Sequence, residues 1–556
     1  MQEFTNETII WENNVVTHRM DAFPRVEETE HRGKTVRAFA DRSESLFELF
    51  ATAVNDTPER EFVVFPDSDI RLSYREAADR VSRLARGLRS EGVSTGDRIV
   101  LLVDSQLEFV ELFLAAARVG AVVSPLNTRH SPGEIRDMFA DGDPVLVFVG
   151  DEYADKLEGS AYEPSNDRTC VLDSAGMDQS YGGLIAHSRN EEIEPSATAA
   201  DLLSVMYTSG TTGQPKAVPI DNFQAVNAAL NNASVHGVRD GSRILVPSPL
   251  FHVTGLVCGL LTAISVNGTA VIMREYDPQH FLRYIGTERV NYCMGVPTHI
   301  VLAAEKAGGG TYDTSSFEKF AYGGAPMPRD AIPKIRDAFP EIKLYHSYGK
   351  TENFAGIAAM IPDQYIDDHP EVVGMPTPTT KFAVVDENRN RLPPGQIGEL
   401  AMYGPFVAER YLSSPDDTDE EFDDGWHYTG DIGVIDESGF ITLRGRKGNM
   451  MIRGGENVYP VEVEDALLAV TGVREAGVTS FPDDVLGERI IAVVAPKERH
   501  RVTEEMLREA CEERLAEYKI PDIFRVVDEL PRNQNGKLKR GELVPKPLQF
   551  GIKFGG

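Results

Sequence analysis

Apolar positions along the chain switch between two periods. In residues 74–89, Ala77, Val81, Leu84, Ala85 and Leu88 recur at helical spacing, which predicts an amphipathic helix that Gly92 stops. A strand pattern follows at 97–103, a helix at 107–119 and a short strand at 121–123 that Pro125-Leu126-Asn127 ends; 143–149 repeats the strand pattern. Alternating strands and helices predict a layered α/β fold with a parallel sheet. Leu202, Leu203, Val205 and Met206 form a further short apolar run, read as a buried strand. Residues 1–40 and 157–200 are polar and weakly patterned, and 1–40 is expected to be an arm lying on the surface. From 372 to 445, Gly374, Pro376, Pro378, Pro393, Pro394, Gly395, Gly398 and Gly404 punctuate short β-type runs, which suits a small distorted β-barrel or antiparallel sheet. Beyond it the patterns at 461–468, 473–479, 488–496 and 503–515 alternate between helix and strand.

At 556 residues the chain is too long for one core, and two or three domains are expected. Cys170, Cys258, Cys293 and Cys511 lie far apart without a CxxC pair, so neither a disulfide framework nor a zinc site is suggested, and a reducing cytoplasm fits. Met1-Gln2-Glu3-Phe4 lacks the layout of a signal peptide. The most apolar stretch, 255–273, carries Thr262, Ser265, Asn267 and Thr269, and reads as a buried helix plus strand, with no membrane span. Charge changes the picture further. Only 16 of the 56 basic residues are lysine, against 87 acidic ones, for a net charge of −31. Such a balance excludes a nucleic-acid or anionic-membrane partner, which needs a basic footprint. It suits a halophilic protein, because concentrated salt screens the self-repulsion.

Candidate chemistry sits in a few dense stretches. Tyr207-Thr208-Ser209-Gly210-Thr211-Thr212-Gly213-Gln214-Pro215-Lys216 follows the strand at 202–206. Its glycines, hydroxyls and ammonium suit a loop whose N–H groups wrap an anion. It is not a Walker loop, because Ala217 stands where a hydroxyl residue should follow the lysine. Pro249-Leu250-Phe251-His252 places a histidine at the end of an apolar run. Tyr322-Gly323-Gly324-Ala325-Pro326 lets backbone approach a flat ligand, and 345–352 (Tyr-His-Ser-Tyr-Gly-Lys-Thr-Glu) sets an aromatic face, a hydroxyl and a carboxylate within five residues. An aromatic can stack on a base, and a carboxylate suits Mg²⁺. Gly425-Trp426-His427-Tyr428-Thr429-Gly430-Asp431, the run 445–460 and Pro531-Arg532-Asn533-Gln534-Asn535-Gly536-Lys537 complete the set.

Taken in order, these motifs resemble those of the adenylate-forming superfamily, and within it the acyl-CoA synthetases, over roughly residues 46–540. The resemblance implies an α/β multidomain protein: a large N-terminal domain of two layered α/β subdomains plus a small distorted β-barrel, followed by a small mobile α+β C-terminal domain. The expected boundaries are an extension at 1–40, an AMP-binding domain at 41–446 with its barrel at about 365–445, a hinge at 447–449, a C-terminal domain at 450–545 and a tail at 546–556. It implies ATP, Mg²⁺ and CoA as cofactor and cosubstrates, a small-molecule carboxylic acid as substrate, and is compatible with a homodimer.

The same resemblance carries roles onto residues. Thr208, Ser209, Gly210, Thr211, Thr212, Gly213 and Lys216 would hold phosphates. Gly323, Gly324, Ala325, Pro326, Ser347, Tyr348, Gly349 and Thr351 would hold adenine and the α-phosphate, with Tyr348 stacked on the base. Asp431 would bind the ribose hydroxyls, Arg446 ribose or phosphate, and Thr211 and Glu352 the metal. Gly454, Gly455 and Glu456 resemble the segment that closes over the pantetheine arm of CoA. Lys537, His252 and Glu352 are the expected catalytic residues. His252, Val253, Cys258, Met294, Val296 and Tyr322 are the expected acyl pocket; small or apolar and without an arginine clamp, they favour a monocarboxylic fatty acid. An aryl acid, or an acceptor other than CoA, is the alternative. The chain departs from the family pattern at Ala217 and at the hinge, where Gly448 replaces a lysine or aspartate.

Overall fold

The computed structural model describes residues 9–18, 23–172, 179–186, 193–208, 215–308, 312–329, 331–369, 371–453, 456–483, 486–532 and 538–545. Two mostly parallel sheets carry the large N-terminal part. The first runs Thr169–Leu172, Leu146–Gly150, Arg98–Leu102, Val122–Pro125, Leu202–Thr208, with Lys216–Asp221 added antiparallel at its edge. The second sets Lys343–Tyr348, Lys319–Gly323, Tyr292–Gly295, Arg243–Val246, Thr269–Ile272 and Glu61–Phe65 side by side in parallel. Glu61–Phe65 thus pairs with a strand some two hundred residues later, with Val63 opposite Ala270.

Helices fill the space between the sheets. The helix Tyr74–Ser90 begins on a capping box in which Ser73 accepts from the Glu76 amide and Glu76 accepts from the Ser73 amide. It buries Ala77, Val81, Leu84, Ala85 and Leu88, as the helical spacing predicts. One apolar cluster joins Ile99 and Leu101 of the first sheet to Ile244, Val246, Ala270 and Met294 of the second. Alternate residues of the second sheet, Leu245, Val271, Cys293, Phe320 and Tyr322, face a separate cluster on its far side.

The apolar stretch 255–273 becomes a wide helical turn, Thr254–Leu261, the helix Thr262–Ser265 and the strand Thr269–Ile272. No helix among the described residues is long and apolar enough to cross a membrane. The wide turn lies hard against the strand before it: a Cβ on Gly255 would meet the Pro249 carbonyl oxygen at 2.3 Å, and one on Gly259 would meet Val246 at 2.7 Å.

The Gly/Pro-punctuated region forms an antiparallel sheet of Lys381–Val385, Ile397–Tyr403, Trp426–Ile435, Ile441–Arg446 and Val372–Pro376, continuous with the second α/β sheet through Ala359–Pro362. The described part of 1–40 is not an irregular arm. Ile9–Glu12 and Val15–His18 form a hairpin that extends this sheet, Val16 pairing with Phe382, and Val26–His31 and Lys34–Phe39 form a second hairpin. Polar faces hid these strands, since only Val15, Val16, His18, Val36, Ala38 and Phe39 among them are buried. The C-terminal unit packs the helices Pro460–Leu468 and Glu504–Arg514 on a sheet built around the long hairpin Val473–Asp483 and Gly487–Pro496.

Four buried histidines make the fold acid-sensitive. Burial pushes His236 down to about 3 and His18, His299 and His346 down to about 4, from an ordinary value of 6.5. They stay neutral in the native state while the unfolded chain takes up protons below 6.5. Stability is therefore lost as pH falls from 6.5 toward 4, by about 1.4 kcal/mol per pH unit for each histidine. The urea midpoint at about pH 5 should fall well below that at about pH 7.5; an unchanged midpoint contradicts this reading.

Candidate active site

Ligand crevices in such sheets open at the carboxyl ends of the strands, where strand order reverses. Here the order reverses at Arg243–Val246, flanked by Thr269–Ile272 on one side and Tyr292–Gly295 on the other. The segments leaving neighbouring strand ends carry His252, Val296, Gly323-Gly324 and Tyr348 to Glu352. Gly323 must be glycine, because a Cβ there would sit 2.6 Å from the Ser347 carbonyl oxygen; Gly324 turns the chain at φ +76°.

The turn after Glu352 is strained. Phe354 and Ala355 adopt φ of 50° and 45°, a left-handed conformation that costs about 1–3 kcal/mol for a residue with a side chain. Asn232, fully buried, holds it: its Nδ2 donates to the Ala355 carbonyl at 3.2 Å and its Oδ1 accepts the Ile357 amide at 2.9 Å. Asn232→Ala leaves the buried Ile357 amide unpaired and the Ala355 carbonyl with only the weak Cys258 thiol donor, and should cost roughly 1–3 kcal/mol. Urea denaturation reads this directly, and a loss within about 0.5 kcal/mol would deny the turn its anchor.

In the antiparallel sheet, which stays open where a small distorted barrel is expected, register brings Asp431 opposite Arg446. The Asp431 carboxylate accepts from Tyr348 Oη at 2.6 Å and from Arg446 Nε at 2.8 Å, and Lys350 Nζ stands 3.9 Å away. Burial works to raise its pKa, but Lys350, Arg446 and Tyr348 outweigh burial and hold it below the usual carboxylate range. Gly430 makes the approach possible with φ +69°. Lys350 donates to the Thr429 carbonyl, so its ammonium is tied to the antiparallel sheet.

Beside this lies a second polar cluster. Glu352 Oε1 and Glu421 Oε2 both face the Tyr411 hydroxyl, at 3.1 and 2.7 Å. Lys216 Nζ donates to Glu421 Oε1 and Asp417 Oδ1, each at 2.8 Å, and lies 4.9 Å from the Tyr411 ring centre. Burial opposes the Lys216 charge, yet the two carboxylates raise its pKa. Burial likewise opposes ionisation of Glu421, but His427, Lys216 and Tyr411 pull it down to about 2; Glu352 is lowered too, Lys350 and His427 outweighing its burial. Burial lowers His427, which stacks on Phe422 with ring centres 4.8 Å apart.

This geometry gathers a buried lysine, a carboxylate bonded by an aromatic hydroxyl and a group of acids and a histidine close enough to hold a divalent cation. The AMP-binding enzyme family profile matches residues 50–412, and its C-terminal domain profile matches 462–537. The chain belongs to the AMP-binding enzyme family. Its relatives in this family are CoA ligases, acid–thiol ligases. A long-chain-fatty-acid–CoA ligase of Mycobacterium tuberculosis is 33% identical over 487 residues, 87% of this chain and 94% of that protein. A feruloyl-CoA synthase of Amycolatopsis is 30% identical over 472 residues, 85% of this chain and 93% of the relative. Among solved structures, O-succinylbenzoate coenzyme A synthetase from Bacillus subtilis, in complex with ATP and magnesium ion, aligns at TM-score 0.78 and 27% identity, covering 89% of this chain and 98% of that one. The large N-terminal and small C-terminal domains are thus the architecture of an AMP-binding acyl-CoA ligase.

Within this family frame, several expected site residues converge. Thr208 pairs with Lys216 across the mouth of the phosphate loop. Ser209, Gly210, Thr211, Thr212 and Gly213 lie outside the described residues, as do Gly454, Gly455 and Lys537. Tyr348 bonds Asp431, which pairs with Arg446, and Gly349, Thr351 and Glu352 follow Tyr348 in the same segment, while Gly324, Ala325 and Pro326 are exposed beyond their strand. Glu456 is exposed in a hairpin opposite Arg453. His252, half-buried beside Phe251, and Val253 lead into the wide helical turn. Met294 reaches the Gly323 position, 3.7 Å from where a Cβ would stand.

Three expectations change. Tyr322 does not join Met294: strand alternation turns it to the far side of the sheet, stacked on His346 at 4.7 Å. Cys258 is fully buried behind the strained turn, taking a bond from Asn232 and donating to the Ala355 carbonyl, so its side chain is engaged with that turn rather than open to a ligand. The Ser347 hydroxyl does not face a ligand; it is bonded at 2.9 Å to the buried His236, which also meets Tyr292 Oη at 2.8 Å. The sequence reading also missed Tyr411, Glu421 and the part played by His427. Glu421 hides in the acidic run 416–424, which reads as solvated surface; its only signal is a histidine six positions on.

Proposed function

We propose that this enzyme activates a monocarboxylic fatty acid with ATP and then transfers the acyl group to CoA. In the first step a carboxylate oxygen attacks the α-phosphorus, the bond to pyrophosphate breaks, and acyl-adenylate forms. In the second the CoA sulfur attacks the acyl carbon, the acyl–phosphate bond breaks with its electron pair leaving on AMP, and the thiol proton passes to solvent.

The observation that carries the reading is the Asp431 carboxylate. Two of its acceptor positions are taken by Tyr348 and Arg446, and the others remain for two ribose hydroxyls. Lys216 is within reach of phosphate once it exchanges Asp417 and Glu421 for phosphate oxygens. Glu352 fits a magnesium ligand: it is buried, held as the carboxylate, and shares one hydroxyl proton with a second carboxylate. Bound magnesium would neutralise charge on the departing pyrophosphate. His252, Val253, Met294 and Val296 offer no cation for a second carboxylate, which favours the monocarboxylic acid.

Release of AMP and pyrophosphate with Mg-ATP and CoA, across straight-chain, branched, aryl and dicarboxylic acids, tests this. The net charge of −31 calls for molar KCl in the assay, and activity is expected to fall at low salt. A straight-chain winner supports the proposal. An aryl or dicarboxylic winner overturns the substrate class, and pyrophosphate release without thioester overturns the acceptor.

A further inference from the structure

The buried histidine beside the two glutamates has no task in the reaction as derived. His427 is fully buried, and neither ring nitrogen has a hydrogen-bond partner among the described residues. Its Nε2 stands 3.5 Å from Glu421 Oε2, out of alignment for a hydrogen bond. A buried polar side chain left in this state costs free energy unless something else meets it.

A second deficit lies a few ångströms away. Tyr411 has one hydroxyl proton, yet Glu352 Oε1 and Glu421 Oε2 both approach its oxygen. Only one of them can receive that proton. The other carboxylate oxygen and the imidazole nitrogen are therefore left as neighbouring lone-pair donors, a set that a cation would satisfy. Lys216 does not fill it, because its ammonium engages Glu421 Oε1, the oxygen on the other side of that carboxylate. Ligand atoms from Glu352, Glu421 and His427 all lie within 4.8 Å of one another, and opposite ligands around a cation at about 2.1 Å stand about 4.2 Å apart.

The geometry points to a three-residue divalent-cation site, Glu352–Glu421–His427, that loads without nucleotide. It rests on the reading of Glu352 as the metal ligand of the acyl-activating reaction and adds two protein ligands to it. Magnesium prefers oxygen and keeps several waters, so a single carboxylate with phosphate oxygens suffices for it. An imidazole nitrogen shifts the preference toward first-row ions, Mn²⁺ and Zn²⁺ above Mg²⁺. Tyr411 bridges Glu352 Oε1 and Glu421 Oε2, and Lys216 holds Glu421 through its other oxygen, Oε1, so both carboxylates are fixed in orientation for the ion.

Manganese is the probe. The full-length chain in molar KCl, free of nucleotide, is titrated with Mn²⁺, and free ion is read from the electron paramagnetic resonance signal of hexaaqua manganese. The expected result is a single bound Mn²⁺ per chain, with binding at least about tenfold weaker in Glu421→Gln and in His427→Gln. Pulsed measurements should show ¹⁴N modulation from a bound imidazole, and ¹⁵N-histidine labelling should change that pattern in the unsubstituted protein, a readout that does not depend on either variant folding. Absence of nucleotide-free binding, or bound manganese without nitrogen modulation, overturns the site. Acyl activation with Mg-ATP is measured on the same preparation. Activity without nucleotide-free Mn²⁺ binding sinks this inference alone, whereas Mn²⁺ binding without acyl activation sinks the proposed function and leaves the cation site standing.

Discussion

Lys537→Ala should lower acyl-adenylate formation by about 10²–10³-fold, the scale on which a positioned donor to developing charge acts. Thioester formation from supplied acyl-adenylate should stay largely intact. The argument is chemical and comes from the Pro531-Arg532 to Lys537 pattern. In a chain with 87 acidic residues, a lysine in a short basic run is well suited to meet charge building on the α-phosphate. That charge exists only in the first half-reaction. In the second, the CoA thiol must reach the acyl carbon, so the lysine is expected to leave as the small domain turns at the expected hinge, 447–449. Pyrophosphate exchange reads the first step and thioester formation from synthetic acyl-adenylate reads the second. Equal loss of both contradicts the role and the domain alternation together.

Asp431→Ala is the second large effect. It removes the proposed acceptor for two ribose hydroxyls, each a charge-assisted hydrogen bond of about 1.5–3 kcal/mol, so AMP affinity should fall about 100-fold or more. It also strands charge. Arg446 Nε loses its partner and Lys350 its nearest anion, which should cost about 3 kcal/mol of stability, the low end for a broken buried pair because Arg446 is 42% exposed. Asp431→Asn keeps the shape and should bind AMP better than the alanine variant while remaining well below the original enzyme. Calorimetric titration with AMP and a urea curve separate the two effects. Unchanged AMP affinity in a folded alanine variant would remove Asp431 from the site.

How much was legible follows from how far apart the interacting residues lie. The helix 74–90 declares itself through five apolar positions at helical spacing, and the structure buries all five. The motifs around Lys216, Tyr348 to Glu352, Asp431 and Arg446 are legible because each packs its chemistry into a few neighbouring residues. Tyr322 was misread because proximity in sequence to Gly323 says nothing about which face of a strand a side chain takes. Glu421 was missed because one acid among many in 416–424 carries no local mark of burial; only the fold turns it toward Tyr411 and His427.

From its residues alone, this chain declares a multidomain α/β architecture, an acidic surface, an ordered series of nucleotide-binding motifs and the class of reaction they serve. The architecture and the charge rest on local periodicity and composition, and the reaction class on the resemblance that the ordered motifs carry; all of these are written along one dimension. The tertiary structure alone decided that Glu61–Phe65 belongs to a sheet completed by residues 243–348, that the hairpin 9–18 extends the antiparallel sheet, and that Glu352, Tyr411, Glu421 and His427 share one cluster. Each depends on pairing across long stretches of chain, where hydrogen-bond register and burial of whole faces, rather than any neighbouring residue, determine which side chains meet.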